Sequence, residues 1–323
     1  MINNENKIYS SKRVYLYDHE PLNFDFVQNR DDFIVEEIPL KKFSNSGNNL
    51  ILKIKKIDLS TWELLEIISD ILNIEQNKIG YAGLKDKNAT TIQYISIPLN
   101  QSKDYKLLNS KNIKVLETYR DKDKLKIGDL KGNRFKIDLK NIDPNELTTI
   151  YQIISKIQKH GIPNYFGYQR FGKDNDFLKT KAIVYGEKII KDKRLNSFLS
   201  TAYQSYFFNS WLSKRVELAK EQNSNKLIAL DGDIFNLNDR STITGLMPGR
   251  KTIRAKAKAR EIEELYDDPF IHNKGYRRDA WIKPIDIKNS YNKKDSSMIL
   301  EFTLPKSSYA TVFIESIANK NFS

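Results

Sequence analysis

The chain has 323 residues, 39% hydrophobic and 29% charged, with a formal net charge of +13 at pH 7. This length and apolar content allow a sizeable core in two domains, or in one large domain with an insertion. The positive excess points to a polyanionic partner, nucleic acid first. Cysteine is absent, so disulfides, thiol catalysis and thiolate metal sites are excluded. His19, His160 and His272 lie far apart and form no short-spaced metal motif. No apolar run is long enough for a membrane helix, and the polar start Met1–Lys7 lacks a signal-peptide core. A cytoplasmic protein is expected.

Residues 1–30 are polar with scattered aromatics (Tyr9, Tyr15, Tyr17, Phe24, Phe26) and read as an irregular arm ending in a short strand. The stretch from Arg30 to Glu37 reads as a turn leading into a strand. After the loop Asn45-Ser46-Gly47-Asn48-Asn49, Leu50, Leu52 and Ile54 alternate with Ile51, Lys53 and Lys55, which predicts a second strand. Ser60-Thr61-Trp62-Glu63 has capping-box spacing, and Leu64, Ile67, Ile68, Ile71 and Leu72 follow at helical spacing. An amphipathic helix over 61–73 is predicted.

The segment from Lys78 to Thr91 comes next, before the strand-like Gln93-Tyr94-Ile95-Ser96-Ile97. Gly80 and Gly83 permit a tight turn and a close approach to a ligand. Asp86 sits between Lys85 and Lys87, and flanking cations favour the ionised carboxylate that a nucleophile or base needs. An ordinary carboxylate is already ionised at neutral pH, so no large shift is required. Taken alone, Lys-Asp-Lys also reads as a solvated turn.

Residues 120–136 carry seven cations (Arg120, Lys122, Lys124, Lys126, Lys131, Arg134, Lys136), either a phosphate-contact strip or a solvated hairpin. Within them Gly132-Asn133-Arg134-Phe135 enters a strand. An asparagine amide can read a uracil edge, and Phe135, two residues on, lies on the same strand face, where it could stack on a base. A helix is predicted over 145–160, with Leu147, Ile150, Ile154 and Ile157 on one side. The loop from Gly161 to Gly172 then combines three glycines and a proline with four aromatics and Arg170. Arg170 could meet a carboxylate or phosphate, or form a structural ion pair.

A long helix is predicted from Leu199 to about Leu218, its aromatics at core spacing. Asp231-Gly232-Asp233 resembles a metal acid pair but reads better as a turn. The six cations from Arg250 to Arg260 make either an RNA-backbone face or a solvated helix. Ile299 to Leu304 alternate as a closing strand, and 309–319 form a last helix. There are no internal repeats and no low-complexity linker.

Several of these stretches share one resemblance. Gly80-Tyr81-Ala82-Gly83-Leu84-Lys85-Asp86-Lys87 is similar to the signature of the TruD family of tRNA pseudouridine synthases. Pro163-Asn164-Tyr165-Phe166-Gly167-Tyr168-Gln169-Arg170-Phe171-Gly172 matches a second family motif almost letter for letter. Asp32-Phe33-Ile34-Val35, Gly132-Asn133-Arg134-Phe135, the Ser200–Asn209 helix, Thr244–Gly249 and Leu304–Thr311 resemble others, in the family's order from about residue 31 to 316.

The resemblance implies an α/β (α+β) fold: a pseudouridine synthase catalytic domain with a mixed, mostly antiparallel sheet, from 1–160 and 284–323. It also implies a TRUD-specific α/β insertion domain over 161–283. It implies an isomerase that converts a specific uridine of tRNA to pseudouridine; bacterial relatives act on uridine 13. Asp86 falls on the catalytic aspartate, Phe33 and Tyr309 on aromatics that contact the target nucleotide, and Asn133 and Phe135 on base-binding positions. Lys85, Gln169 and Arg170 are supporting candidates. The chain departs from the pattern at Val27, where the family has lysine, and at Ser307, where it has glycine. No cofactor or metal is expected, tRNA is the expected partner, and a monomer is expected.

Two readings of other classes compete. A non-catalytic RNA-binding or chaperone protein could retain the fold. A metal-dependent nuclease would use Asp31 and Asp32, or Asp231 and Asp233.

Overall fold

The computed structural model describes residues 13–171 and 177–322. Residues 1–12, which carry Tyr9 and the start of the arm, lie outside the described residues, as does Gly172. The described chain is organised around two compact units.

The first unit comprises residues 23–147 and 284–307. Its strands are β1 (Phe33–Pro39), β2 (Asn49–Ile57), β3 (Gly80–Tyr81), β4 (Thr90–Pro98), β5 (Ile113–Asp121) and β6 (Leu130–Leu139). One helix, α1 (Thr61–Leu72), lies between β2 and β3. The second unit gathers the described residues up to Leu22 with 148–283 and 308–322. Its elements begin with α2 (Leu147–His160), whose first residue lies in the first unit. They continue with β7 (Ile162–Pro163), α3 (Phe177–Val184), α4 (Lys193–Glu221), β8 (Thr244–Met247), α5 (Ala257–Glu263), β9 (Tyr276–Asp279) and β10 (Trp281–Ile282). The chain then returns to the first unit's sheet through β11 (Ile285–Asn292) and β12 (Ser297–Pro305), and ends with α6 (Ala310–Ala318) in the second unit.

The eight-stranded sheet of the first unit runs β11-β12-β6-β1-β4-β2-β5, with β3 paired to β4. Only β1 and β4 run parallel; the other pairs are antiparallel, giving the mixed, mostly antiparallel sheet expected. Register decides which side chains share a face, because alternate residues point to opposite sides. Lys56 pairs with Thr91, Thr91 with Val35, Val35 with Phe135, and Phe135 with Phe302. Neighbouring rows on the same face pair Glu37 with Asn133, and Phe33 with Ile137.

Helix α1 forms where the capping box placed it. Ser60 accepts from the Glu63 amide at 3.2 Å, and the Glu63 carboxylate accepts from the Ser60 amide at 2.7 Å. Its Leu64, Leu65, Ile68 and Leu72 pack on Leu50, Leu52 and Ile54 of β2 and on Ile95 and Ile97 of β4. That covers the β2–β4 end of the face and fixes the helix above it. A fully buried Leu or Ile contributes roughly 1.5–3 kcal/mol by leaving water, so this contact anchors the segment that follows α1.

Differences from the sequence reading have local causes. Among the described residues of the arm before β1, an isolated bridge, Asp25 with Lys140, stands in place of a strand. Helix α4 starts six residues earlier than the aromatic spacing suggested, because residues 193–198 are helical too. Among the six cations of 250–260, Arg254 pairs with Asp267, and Arg260 with Glu263 and Asp267. Two of the six charges are therefore neutralised internally, and the helix begins only at Ala257. Ser307, in the place of a glycine, has φ +65° and takes the left-handed conformation that glycine accepts without cost.

Candidate active site

The segment between α1 and β4 crosses the polar end of the sheet face and is pinned along its length. The Gly128 amide donates to the Ala82 carbonyl at 2.8 Å. The Lys85 amide donates to Thr61 Oγ1 at 2.9 Å, and Thr61 Oγ1 donates to Gln93 Oε1 at 3.2 Å. The Lys85 ammonium reaches down to Glu37 Oε2 at 2.6 Å, both groups buried. Lys56 Nζ donates to the Asp86 carbonyl at 3.4 Å and also to the Leu59 carbonyl. Lys87 pairs with Glu63 in the first turn of α1. With its neighbours fixed above and below, Asp86 is held in one place at the loop's crest.

The glycines of this loop divide the roles assigned to them. A Cβ on Gly80 would lie 2.3 Å from Ser96 Oγ and 2.4 Å from the Leu125 carbonyl oxygen. Glycine is required there by close packing within the sheet, not by a turn. A Cβ on Gly83 would meet nothing nearer than Lys85 Nζ at 3.5 Å.

Asp86 is open to solvent. Protein atoms nevertheless surround its carboxyl closely enough that desolvation pushes its pKa above the ordinary carboxylate value, while Lys56 and Lys85 pull it back. Of the flanking cations that the sequence shows, Lys85 acts against this rise, and burial outweighs it. Because water reaches the side chain, screening limits that rise. Lys56 is fully buried, and burial pushes its ammonium down to about 8, against the attraction of Asp86. Glu37 is raised by burial and held back by Lys85 and by the Tyr94 amide, which donates to it at 3.3 Å.

Asn133 lies in register with Glu37, on the same face. Its Oδ1 is buried and accepts no hydrogen bond. A buried acceptor left unpaired costs free energy. Phe33 and Phe135 occupy neighbouring rows, with ring centroids 6.1 Å apart, and continue into Phe26 on one side and Phe302 on the other. Both rings are buried, 1% and 5% exposed, and form part of the core as well as the neighbourhood of Asn133. Val27 is 56% exposed and supplies no cation. The lysines brought to Asp86 are Lys85 from its own loop and Lys56 from β2. Sequence reasoning missed Lys56 and Glu37. The alternation of β2 was the available signal, since it places Lys56 on the same face as Leu52 and Ile54.

The other predicted residues belong to the second unit. Tyr309 precedes α6, and its ring meets Phe166 edge-on, with centroids 5.9 Å apart. Gln169 Oε1 accepts from Thr311 Oγ1 at 3.1 Å. A Cβ on Gly167 would lie 2.6 Å from Thr311 Oγ1 and 2.7 Å from Gln169 Oε1, so this motif glycine is fixed by crowding. Arg170 Nε donates to Ser205 Oγ at 3.2 Å, and its guanidinium lies 5.4 Å from the Phe166 centroid. On the same ring Arg278 sits at 3.9 Å and donates to Asn164.

The acid pairs of the nuclease reading have structural partners. Arg215 donates to both oxygens of Asp233 at 2.7 and 2.8 Å, and Asn29 donates to Asp32 at 2.7 Å. Among the described residues, no group of three or more His, Asp or Glu side chains is arranged to hold a metal ion. No helix among them is long and apolar enough to cross a membrane.

Comparison with known proteins gives the family. The family profile of tRNA pseudouridine synthase D (TruD) matches residues 10–193. The tRNA pseudouridine synthase D of Nitratiruptor sp. is 39% identical, with 95% of this chain and 98% of that protein covered. That of Wolinella succinogenes is 38% identical, with 96% and 98% covered. A solved structure from Methanosarcina mazei, described as a candidate tRNA pseudouridine synthase D, superposes with a TM-score of 0.68 at 26% identity, covering 98% of each chain. By sequence over nearly its whole length, and by a fold shared with a solved relative, this chain belongs to the TruD family of tRNA pseudouridine synthases.

Proposed function

We propose that this protein isomerises one uridine of tRNA to pseudouridine, with uridine 13 as the target, and that Asp86 carries the chemistry. The reaction breaks the N1–C1′ bond of uridine, turns the base and joins C5 to C1′. The C5 proton is lost and N1 gains one, so nothing is oxidised and no group leaves. Asp86 acts on the ribose or base of the target as nucleophile or base. The observation that supports this most is its setting: an exposed aspartate on a pinned loop, with two lysines beside it and Asn133 Oδ1 unpartnered on the same sheet face.

The target base has to leave its stack, because C1′ is otherwise out of reach. Asn133 then accepts from the uracil N3–H, and Phe33 and Phe135 back the base. Base–aromatic stacking contributes about 1–3 kcal/mol per base. In the second unit, Tyr309, Gln169 and Arg170 are proposed as RNA contacts. We assign 1–160 with 284–323 to the catalytic domain and 161–283 to the insertion. The protein works as a cytoplasmic monomer on tRNA, without cofactor or metal.

The test is pseudouridine mapping by carbodiimide labelling and primer extension, on RNA from a host lacking the gene and from the same host with it restored. Restoration of one carbodiimide stop at tRNA position 13 is expected. RNA binding without any new stop would favour a non-catalytic RNA-binding protein. Shortened RNA would favour a nuclease.

A further inference from the structure

We propose that Lys56 is a positioning residue for the reaction at Asp86: its buried ammonium ties the Asp86 loop to strand β2 and supplies the positive charge that keeps the carboxyl ionised. This rests on the assignment of Asp86 as the reacting group.

Three observations carry it. Lys56 is fully buried, yet its hydrogen-bond acceptors are two main-chain carbonyls, those of Leu59 and Asp86. It forms no ion pair among the described residues. Burying a charge without a paired carboxylate is costly, and a core position on β2 would be filled more favourably by an apolar side chain. The charge therefore has a use, and the carboxyl group it faces is the one at the crest of the loop. Second, one of its two acceptors is the main chain of Asp86 itself, so loss of the ammonium frees the residue that carries the reacting group. Third, its neighbour in register, Thr91, has a buried hydroxyl that accepts no hydrogen bond, so no rival group on that strand takes up the lysine.

The titratable groups facing Lys56 are Asp86 and Lys85 from the loop and Glu63 from α1. Burial pushes the Lys56 ammonium down to about 8, so the lysine is cationic at neutral pH and loses its proton just above it. The charge at this position is thus present where the enzyme works and absent in mild alkali. An arginine in its place would stay charged throughout.

The experiment measures single-turnover pseudouridine formation on tRNA transcript across pH for the native protein, Lys56→Arg, Lys56→Met and Asp86→Asn, with tRNA affinity measured alongside. The native rate is expected to fall above about pH 8. In Lys56→Arg that alkaline fall disappears. In Lys56→Met the maximal rate drops tenfold or more at unchanged tRNA affinity, the alkaline fall is lost, and the acid limb moves up by about one pH unit. Lys56→Arg recovers part of the rate that Lys56→Met loses. An alkaline limb unchanged in Lys56→Arg overturns the proposal, as does a native rate and acid limb in Lys56→Met. Should Lys56→Met fail to fold, the alkaline limb of Lys56→Arg decides alone. Activity remaining in Asp86→Asn would instead remove the assignment of Asp86. Loss of activity there with a normal Lys56→Met would remove only the role of Lys56.

Discussion

The Lys85 ammonium lies 2.6 Å from the Glu37 carboxylate, and neither side chain is more than 4% exposed. The pair joins the Asp86 loop to the central strand β1 from beneath. Removing one member leaves a buried charge without a partner, which typically costs 3–5 kcal/mol. Lys85→Met is therefore expected to lower unfolding free energy by about that amount in urea titrations at neutral pH. Burial already raises the Glu37 pKa, and protonation removes its charge. The deficit of Lys85→Met should thus shrink as pH falls, and adding Glu37→Leu should restore most of the stability. A deficit independent of pH would contradict this account of the pair.

The upward shift of Asp86 has a kinetic consequence. Its reactive form is the carboxylate, so the rate should fall on acidification, with a midpoint above the ordinary aspartate value of 3.8. The measurement is the acid limb of single-turnover rate on tRNA at constant ionic strength. A midpoint at or below 3.8 would contradict the desolvated setting of this carboxyl.

Asn133→Ala removes an amide whose Oδ1 has no partner in the free protein. Stability should change by less than about 0.5 kcal/mol. Turnover should fall roughly tenfold to a hundredfold, the value of one base-edge contact of about 1–3 kcal/mol. Thermal melting and steady-state kinetics read the two quantities separately. Unchanged kinetics would exclude a base-reading role.

Two glycines six residues or fewer from Asp86 should answer alanine substitution differently. At Gly80 the added Cβ meets Ser96 Oγ and the Leu125 carbonyl at 2.3 and 2.4 Å, and overpacking of this kind costs about 1–3 kcal/mol. At Gly83 the nearest atom is 3.5 Å away, at the flexible end of Lys85, and the change should stay within about 0.5 kcal/mol. Denaturant midpoints of the two variants test the contrast.

The main elements were legible where a local rule acts alone. The Ser60–Glu63 capping box placed α1, and alternation placed β2 and β12. Partners remote in sequence were not legible. The bond between Lys85 and Glu37 spans 48 positions, and only register across β1, β4 and β2 brings Glu37, Thr91 and Lys56 onto one face. Asp231-Gly232-Asp233 reads as a turn with a metal pair as its rival, and Arg215, 18 positions away, is clamped to Asp233. The cationic runs overstated the free positive surface for the same reason. Charge counted along a chain says nothing of carboxylates folded against it, as Arg254 and Arg260 meet Asp267.

Asp86→Asn tests the central claim most directly. The variant keeps the size of the side chain and removes its charge. It should fold normally and bind tRNA with nearly native affinity, while carbodiimide mapping of tRNA incubated with it shows no pseudouridine. Native turnover by Asp86→Asn would show that the carboxylate is not the reacting group.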